Sequence, residues 1–280
     1  MKLAPRYDGP PIISIGGRAD DQRAPLSRQR RRLEATLAGL TDEQWRSSTR
    51  CAGWTVQDVV AHLTGVNDFW RASVLAGLTG TPTRYLTDFD PAATPPLLID
   101  PMRALAPAEV FEQFAASNHS FLATMTDLDD AGWSMLAESP AGHVSIRVLA
   151  FHALWDCWVH ERDIALPLGQ TPALEADEVL SCLRYAAALS PALAITTGDA
   201  TAGVFSIEVS DPALAFELEV GDTVSVSDGG APGAVCLRGD AVELLEALSL
   251  RVPLPASSPT EWRQLLAGLA TAFDSDLDLI

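Results

Sequence analysis

Residues 148–166 read VLAFHALWDCWVHERDIAL, an apolar stretch that carries a carboxylate and an imidazole four residues apart, Asp156 and His160. On a helix this spacing places both side chains on one face, about one turn apart. A second helical stretch, residues 55–78, contains His62 within an apolar run. If the two helices pack side by side, two nitrogens and a carboxylate form a plausible three-ligand site for a divalent metal, with one position left open.

Each of these residues also has a purely structural interpretation. A single histidine on an apolar helix face is usually a hydrogen-bonded core residue, and an Asp four residues before a His is common as a simple pair. Asp156, however, lies in the middle of one of the most apolar helices, where an ionised carboxylate needs a compensating charge such as a metal ion. The pattern alone therefore fits a metal site and a buried Asp–His pair about equally well.

His152 lies four residues before Asp156 and extends the same row. The row drifts around the helix by about 40° per step, so His152, Asp156 and His160 cannot easily reach one ion together. We expect His152 to support a ligand or to belong to the core, although it is the obvious substitute ligand. Oxygen and imidazole ligands suit zinc, and also iron, nickel or manganese. Zinc is the expected metal for a site without redox chemistry.

Other catalytic signatures are missing from the sequence. It contains no GxGxxG, no P-loop and no GxSxG, so neither a nucleotide site nor a serine nucleophile with its own base is predicted. If the protein is an enzyme, its nucleophile comes from elsewhere. A water or an external thiol activated by the metal would serve, because the ion lowers the pKa of the group in its open position.

The composition excludes several partners. The chain of 280 residues has 37 acidic and 19 basic residues and a formal charge of −18, which argues against binding to nucleic acid or to anionic lipid. The N-terminal sequence lacks the apolar core of a signal peptide, so a cytoplasmic protein is expected. The four cysteines show no CxxC spacing and are expected to be free thiols in a reducing compartment.

Hydrophobic periodicity divides the chain into two parts. The first two thirds have helical spacing, with Thr55 as an N-cap and Asp58 as its capping-box partner. Residues 79–106 contain five prolines and are predicted to be largely loop. The predicted helices of this part are residues 26–40, a short one after Thr41, 55–78, 107–128, 145–166 and 174–189, the last ended by Pro191.

Beyond residue 203 the pattern alternates with a period of two, which predicts short strands. The predicted strands are residues 204–209, 215–219, 223–227 and 234–238, and helices at 240–250 and 260–273 follow them. The expected fold is mainly α with a smaller α+β domain. The expected domains are residues 1–195 and 196–280, with the boundary near residues 195–203.

Three segments resemble the mycothiol-dependent maleylpyruvate isomerase family. Residues 53–63, GWTVQDVVAHL, are similar to its GWTVxDVxAHL segment. Residues 156–164, DCWVHERDI, resemble a second segment in which a carboxylate stands four residues before a His. Residues 239–245, GDAVELL, resemble the motif that opens a helix in that family's C-terminal domain.

The resemblance implies a DinB-like four-helix bundle followed by a small α+β domain of sterol-carrier-like shape. It implies a divalent metal, usually zinc, on His62, Asp156 and His160, although the isomerase has Glu where this chain has Asp156. It also implies mycothiol, the thiol of actinobacteria, as cosubstrate. In the family an arginine of the second domain lies near the substrate. Arg238 is the nearest match and the predicted catalytic residue, although it also fits an ordinary surface arginine.

The leading hypothesis is a metal-dependent enzyme that uses mycothiol. The thiolate would attack a small electrophilic substrate, with isomerisation or S-transfer as the outcome. One alternative is a non-catalytic module that binds a small molecule or a protein on the same fold. Another is a metal-assisted hydrolase with water as nucleophile. We expect no nucleic-acid or membrane partner, and a monomer or homodimer.

Overall fold

The computed structural model describes residues 2–17, 21–230 and 233–273. Its helices, in chain order, are α1 (Arg23–Ala38), α2 (Asp42–Trp45), α3 (Val56–Leu78), α4 (Thr94–Arg103), α5 (Pro107–Thr126), α6 (Asp130–Ser134), α7 (Ile146–Ala165), α8 (Ala176–Thr197), α9 (Ala241–Leu248) and α10 (Thr260–Ala272). Its strands are β1 (Ile13–Ile15), β2 (Leu136–Ser139), β3 (Gly142–Ser145), β4 (Gly203–Ser210), β5 (Ala213–Val220), β6 (Val224–Asp228) and β7 (Val235–Gly239).

Four long helices form a bundle. Helix α3 packs on α5 and α7, and α1 also packs on both of these. Apolar residues spaced by a helical turn fill one end of the bundle, among them Leu33, Val59, Val110 and Ile164, all fully buried. The predicted mainly helical fold with a smaller α+β part is therefore confirmed.

The α+β part is built on a sheet with strand order β1-β6-β5-β4-β7. Strands β4, β5 and β6 are antiparallel neighbours, whereas β7 runs parallel to β4 and β1 runs parallel to β6. Helix α8 packs on α7 of the bundle and also on α9, α10 and the sheet. The expected boundary near residues 195–203 coincides with the step from α8 to β4. Strand β1 lies across that boundary, so the division at residue 195 stays a prediction.

Residues 79–106 are largely loop, as predicted, but they also contain the short helix α4, which was not predicted. Pro95 and Pro96 occupy the first turn of α4, where the missing N–H groups have no helical partner to lose and the fixed φ suits a helix. Pro101 lies near the other end. The number of prolines predicts a mostly irregular segment, whereas the positions of three of them are compatible with a short helix.

The predicted end of the fifth long helix is also wrong. Helix α8 continues through Pro191 and ends at Gly198, which adopts a left-handed conformation. Packing against α10 accounts for the continuation. The Ser190 hydroxyl donates to the Leu265 carbonyl at 2.6 Å and accepts from the Leu269 amide at 2.9 Å, so α8 is anchored on α10 at the residue before the proline.

A short hairpin of β2 and β3 precedes α7 and packs on α3. Its approach leaves no room on one side of α3, where a Cβ atom added to Gly77 would overlap with the carbonyl oxygen of Leu136. We expect Gly77→Ala to destabilise the protein by about 1–3 kcal/mol, because two backbones would have to separate. Gly65→Ala on the same helix is the control, since nothing lies within 4 Å of its added Cβ.

Urea denaturation of both variants tests this close approach. Gly65→Ala should be neutral or stabilising by about 0.4–1 kcal/mol, because alanine has less freedom in the unfolded chain. Equal effects of the two substitutions would contradict the tight contact between α3 and β2.

One helix among the described residues, Ala176–Thr197, is long and apolar enough to cross a membrane by length and composition. In the structure, 83% of its most apolar window is buried. A helix that packs on several elements of the same chain is the usual reason for such a composition. Helix α8 therefore has the character of a core helix.

Candidate metal centre

His62 is positioned by the start of α3. Thr55 caps this helix, accepting from the Asp58 amide, while the Asp58 carboxylate accepts from the Thr55 amide at 3.0 Å. This is the predicted capping box. The indole of Trp54 lies edge-on to the His62 ring with 5.5 Å between centroids. The capped turn and the indole together fix the imidazole on the side of α3 that meets α7.

The structure brings His62, Asp156 and His160 together. Each residue offers one ligand atom, and these atoms lie within 4.8 Å of one another. The two imidazole rings are 5.1 Å apart between centroids and nearly perpendicular. The Asp156 Oδ1 and His160 Nε2 atoms are 3.6 Å apart, and the side chains are 15% and 12% exposed. The arrangement is a half-buried set of two nitrogens and a carboxylate.

Asp156 has an oxygen without a protein partner. Its Oδ2 atom is buried and receives no hydrogen bond among the described residues. Burial opposes ionisation, but His160, His62, His152 and Arg30 together hold the pKa of Asp156 below its ordinary value. A buried, ionised carboxylate with an unused oxygen is costly unless a cation compensates it. The donor set therefore fits a divalent metal.

The two imidazoles differ in their protonation. Burial and the neighbouring His160 lower the pKa of His62 to about 4, so His62 is neutral at physiological pH and its nitrogen is free to bind a metal. Burial opposes the charge on His160 as well, but Cys51 and Asp163 favour it and raise the pKa of His160 well above the ordinary value. Without a metal, His160 is thus the protonated member of the pair.

This difference predicts that metal binding releases protons. The metal-free His160 must lose its Nε2 proton to become a ligand, whereas His62 has none to lose. We expect release of about one proton per ion near neutral pH, and an affinity that rises with pH until the raised pKa of His160 is passed. Calorimetric titration in buffers of different ionisation enthalpy measures the proton count. A count near zero would contradict the charged state of His160.

Asp163 holds the second nitrogen of His160. The His160 Nδ1 atom lies 3.1 Å from Asp163 Oδ2, and Asp163 is 0% exposed. Two guanidinium groups fix the carboxylate in turn: Arg251 binds it with two nitrogens at 2.8–2.9 Å, and Arg50 Nε lies 3.1 Å from Oδ1. A carboxylate behind a ligating histidine sets the ring orientation and raises its basicity. His160 is thereby held with Nε2 directed to Asp156.

Cys51, His160 and Asp163 form a second group with ligand atoms within 4.8 Å of one another. The Cys51 thiol donates to Asp163 Oδ2 at 3.2 Å and lies 3.7 Å from His160 Nδ1. This group suits a metal less well, because Arg251 and Arg50 already compensate the Asp163 charge and would repel a dication. Of the two groups, the one with Asp156 has a carboxylate oxygen without a protein partner and no arginine bound to its carboxylate among the described residues, so it suits a dication better.

The remaining candidates lie elsewhere. His152 is buried, with its Nδ1 atom 2.7 Å from the Tyr185 hydroxyl and its ring against Trp70, and it does not belong to either ligand group. Arg238 lies on β7 with its side chain 65% exposed and binds Glu208 on β4 at 2.8 Å. No contact joins it to the His62 cluster in the described part of the chain. Its catalytic role stays a prediction.

Sequence reasoning missed Arg251 and the role of Asp163. Arg251 follows α9 and is the arginine of the α+β part that contacts the site. Glu246 on α9 adds a second link, since its carboxylate binds Arg50 and also Arg162 Nε at 2.5 Å. Asp163 carried one signal, its position three residues after His160 on an apolar helix. Nothing in the sequence connects it with a residue 88 positions later.

The fold and the cluster define a class: a helical bundle in which two helices bring two histidines and an aspartate together. A family model described as the mycothiol maleylpyruvate isomerase N-terminal domain matches residues 26–165, half of the chain. The protein therefore belongs to the mycothiol maleylpyruvate isomerase N-terminal domain family. Comparison with curated protein sequences found no match.

Two solved structures share the fold. One is a histidine-to-alanine mutant of the mycothiol-dependent maleylpyruvate isomerase, with 13% identity and a TM-score of 0.59. The other is the same isomerase without that mutation, with 13% identity and a TM-score of 0.57. Each comparison covers 84% of this chain and 90% of the other. The likeness extends over most of both chains and supports the predicted DinB-like bundle with its α+β part.

Proposed function

We propose that the protein is a metal-dependent enzyme that uses a low-molecular-weight thiol, mycothiol, on a small electrophilic substrate. The observation that carries the proposal is the convergence of His62, Asp156 and His160, with Asp156 Oδ2 buried and unpartnered. Membership of the family supports the choice of thiol. The reaction is an isomerisation through addition and elimination, or an S-transfer in which the thiol stays on the product.

The three side chains would hold the metal. Two nitrogens and one carboxylate suit zinc, and three protein ligands leave a position open. A metal of this kind lowers the pKa of a thiol in its open position, so that the thiol is present as the reactive thiolate. The chain's own contribution is orientation: Asp163 fixes the ring of His160 from behind, and Trp54 packs on His62.

The α+β part of the chain places side chains beside the candidate site. Arg251 reaches Asp163, and Ser249 accepts a hydrogen bond from the Trp155 indole at 2.8 Å. We propose that residues of this part, with Arg238 as the candidate from sequence, bind the electrophile. The free cysteines and the use of a thiol support a cytoplasmic location.

Metal analysis tests the proposal first. Purified protein should contain about one divalent ion per chain by plasma mass spectrometry, and His62→Ala should lose it. His119→Ala is a matched control, because His119 lies on α5 beside Glu34 and outside both ligand groups. Absence of metal from the wild type, with none taken up on titration, would favour a non-catalytic binding module.

Turnover assays then separate the reaction types. With mycothiol and a panel of cis-enoic acids or alkylating electrophiles, activity should require both the thiol and the metal. Turnover that needs the metal but no thiol would instead support metal-assisted hydrolysis. Full activity of both His62→Ala and His160→Ala would contradict the metal site as the catalytic centre.

A further inference from the structure

Arg30 of α1 lies inside the bundle and contacts the other three long helices, α3, α5 and α7. The side chain belongs to α1 and is 0% exposed. Its guanidinium donates to the Asn67 amide oxygen on α3, to Asn118 Oδ1 on α5 at 3.3 Å and to the Ala153 carbonyl on α7 at 3.2 Å. The group also lies over the Phe121 ring, 4.7 Å from its centroid.

The partners of Arg30 are neutral. No carboxylate of the described residues lies within ion-pair distance of it, and its Nε atom makes no hydrogen bond. Arg32, two residues later, is compensated in the usual way by carboxylates, since it binds Glu161 at 2.8 Å and Glu178 at 2.7 Å. A buried guanidinium stays charged and is costly without a countercharge. The bundle therefore keeps in its interior a positive charge that no carboxylate contacts directly, although the Asp156 carboxylate attracts it from a longer distance.

The Arg30 charge contacts the same two helices, α3 and α7, that carry the candidate metal ligands. Ala153, whose carbonyl Arg30 binds, is one helical turn before Asp156, and Asn67 is five residues after His62 on α3. A dication and one carboxylate leave a single positive charge when both histidines are neutral. Arg30 adds a second fixed positive charge in a region from which water is excluded, where charges act strongly on one another.

We propose that Arg30 is a specificity-determining residue, whose buried charge makes the open position of the metal centre select an anionic occupant over a neutral one. This inference rests on the proposed function, because it assumes a metal on His62, Asp156 and His160. The selected ligands are a thiolate or a small anion. Arg30 acts through its charge and does not touch the ligand.

Cobalt-loaded protein provides the test, since Co²⁺ replaces zinc and its visible absorption reports its ligands. Azide is the anionic probe and imidazole the neutral one, titrated at about pH 8, where imidazole is mostly uncharged. In Arg30→Met we expect the dissociation constant of azide to rise about tenfold, while that of imidazole stays the same. Co²⁺ itself, measured against a chelator, should bind equally or more tightly, because a positive charge has been removed.

Three further variants separate charge from structure. Arg30→Lys keeps the charge and should restore most of the azide affinity. Asn67→Asp leaves Arg30 in place but adds a carboxylate beside it, and should weaken azide as Arg30→Met does. Arg184→Met is the matched control: Arg184 is also buried, but binds Asp228 and the Gly16 carbonyl beside the sheet, so neither probe should change. If Arg30→Met does not fold, the azide affinity of Asn67→Asp tests the inference in its place.

The outcomes are distinct. Equal weakening of azide, imidazole and Co²⁺ would mean that Arg30 only maintains the bundle, and would overturn the inference. So would azide affinities that do not change in Arg30→Met and Asn67→Asp. A wild-type protein that takes up no Co²⁺ would overturn the proposed function, and this inference with it.

Discussion

Asp156→Asn is expected to reduce metal affinity by more than the roughly 100-fold that changes behind a metal ligand cost. The substitution keeps the shape of the side chain but removes the charge that compensates a dication. In the metal-free protein it also removes the buried carboxylate with the unpartnered Oδ2 atom. The apoprotein should be somewhat less stable than the wild type at neutral pH, because the pKa of Asp156 is held below its ordinary value by the neighbouring histidines and Arg30, and a carboxylate with a depressed pKa stabilises the folded state above its ordinary pKa.

Asp156→Glu is the matched comparison. It keeps the charge and adds one methylene at a position on α7 whose side chain is partly exposed. We expect it to retain metal within about tenfold of the wild-type affinity, a loss smaller than that from removing the charge. Competition with a chromophoric chelator measures both variants. Equal loss in Asp156→Asn and Asp156→Glu would mean that geometry, and not charge, controls the site.

Asp163→Asn is expected to lower the free energy of unfolding by about 3–5 kcal/mol. Asp163 is fully buried and compensates Arg251, which binds it through two guanidinium nitrogens, and Arg50, with which it forms an ion pair at 3.1 Å. Removal of its charge leaves Arg251 without its carboxylate partner. The loss should be largest above the ordinary pKa of an aspartate, because the depressed pKa of Asp163 stabilises the wild type there and that stabilisation disappears as the pH falls.

Urea denaturation at neutral and acidic pH tests this expectation. The double variant Asp163→Asn with Arg251→Gln should recover part of the stability, since the unpaired charge is gone as well. Glu208→Gln breaks an ion pair of similar geometry with Arg238 on the exposed sheet surface and should leave the midpoint unchanged. A similar loss in Asp163→Asn and Glu208→Gln would contradict a special role of the buried carboxylate.

Local patterns predicted most of the bundle. Helices α3 and α7 have helical periodicity and side-chain caps at their first turns, so their type and direction follow from adjacent residues. The hairpin of β2 and β3 was not predicted, because each strand has four residues and is buried on both sides, which leaves no alternation to detect. Strand β1 was missed for the same reason, since three residues do not form a pattern.

The candidate site likewise contains some residues that local sequence patterns predict and others that only long-range packing places. Asp156 and His160 are placed on one face by their spacing, and His62 was a candidate from its position in a second apolar helical stretch, which the resemblance then matched to a ligand position. The residues around the ligands depend on long-range packing. Arg30 is placed by contacts with α3, α5 and α7, and Arg251 by the docking of α9. Spacing along one helix cannot indicate either of them, because each partner belongs to an element distant in sequence.

The pairing of β1 with β6 has a consequence for how the chain matures on the ribosome. Ile13 is aligned with Val224, so this strand leaves the exit tunnel about 200 residues before its partner. At about 5–20 residues per second, that interval is about 10–40 s. During synthesis the bundle can begin to assemble while the N-terminal strand still lacks the partner that completes it. Nascent chains stalled before residue 224 should therefore show this strand accessible to proteases, and stalls beyond β6 should show it protected.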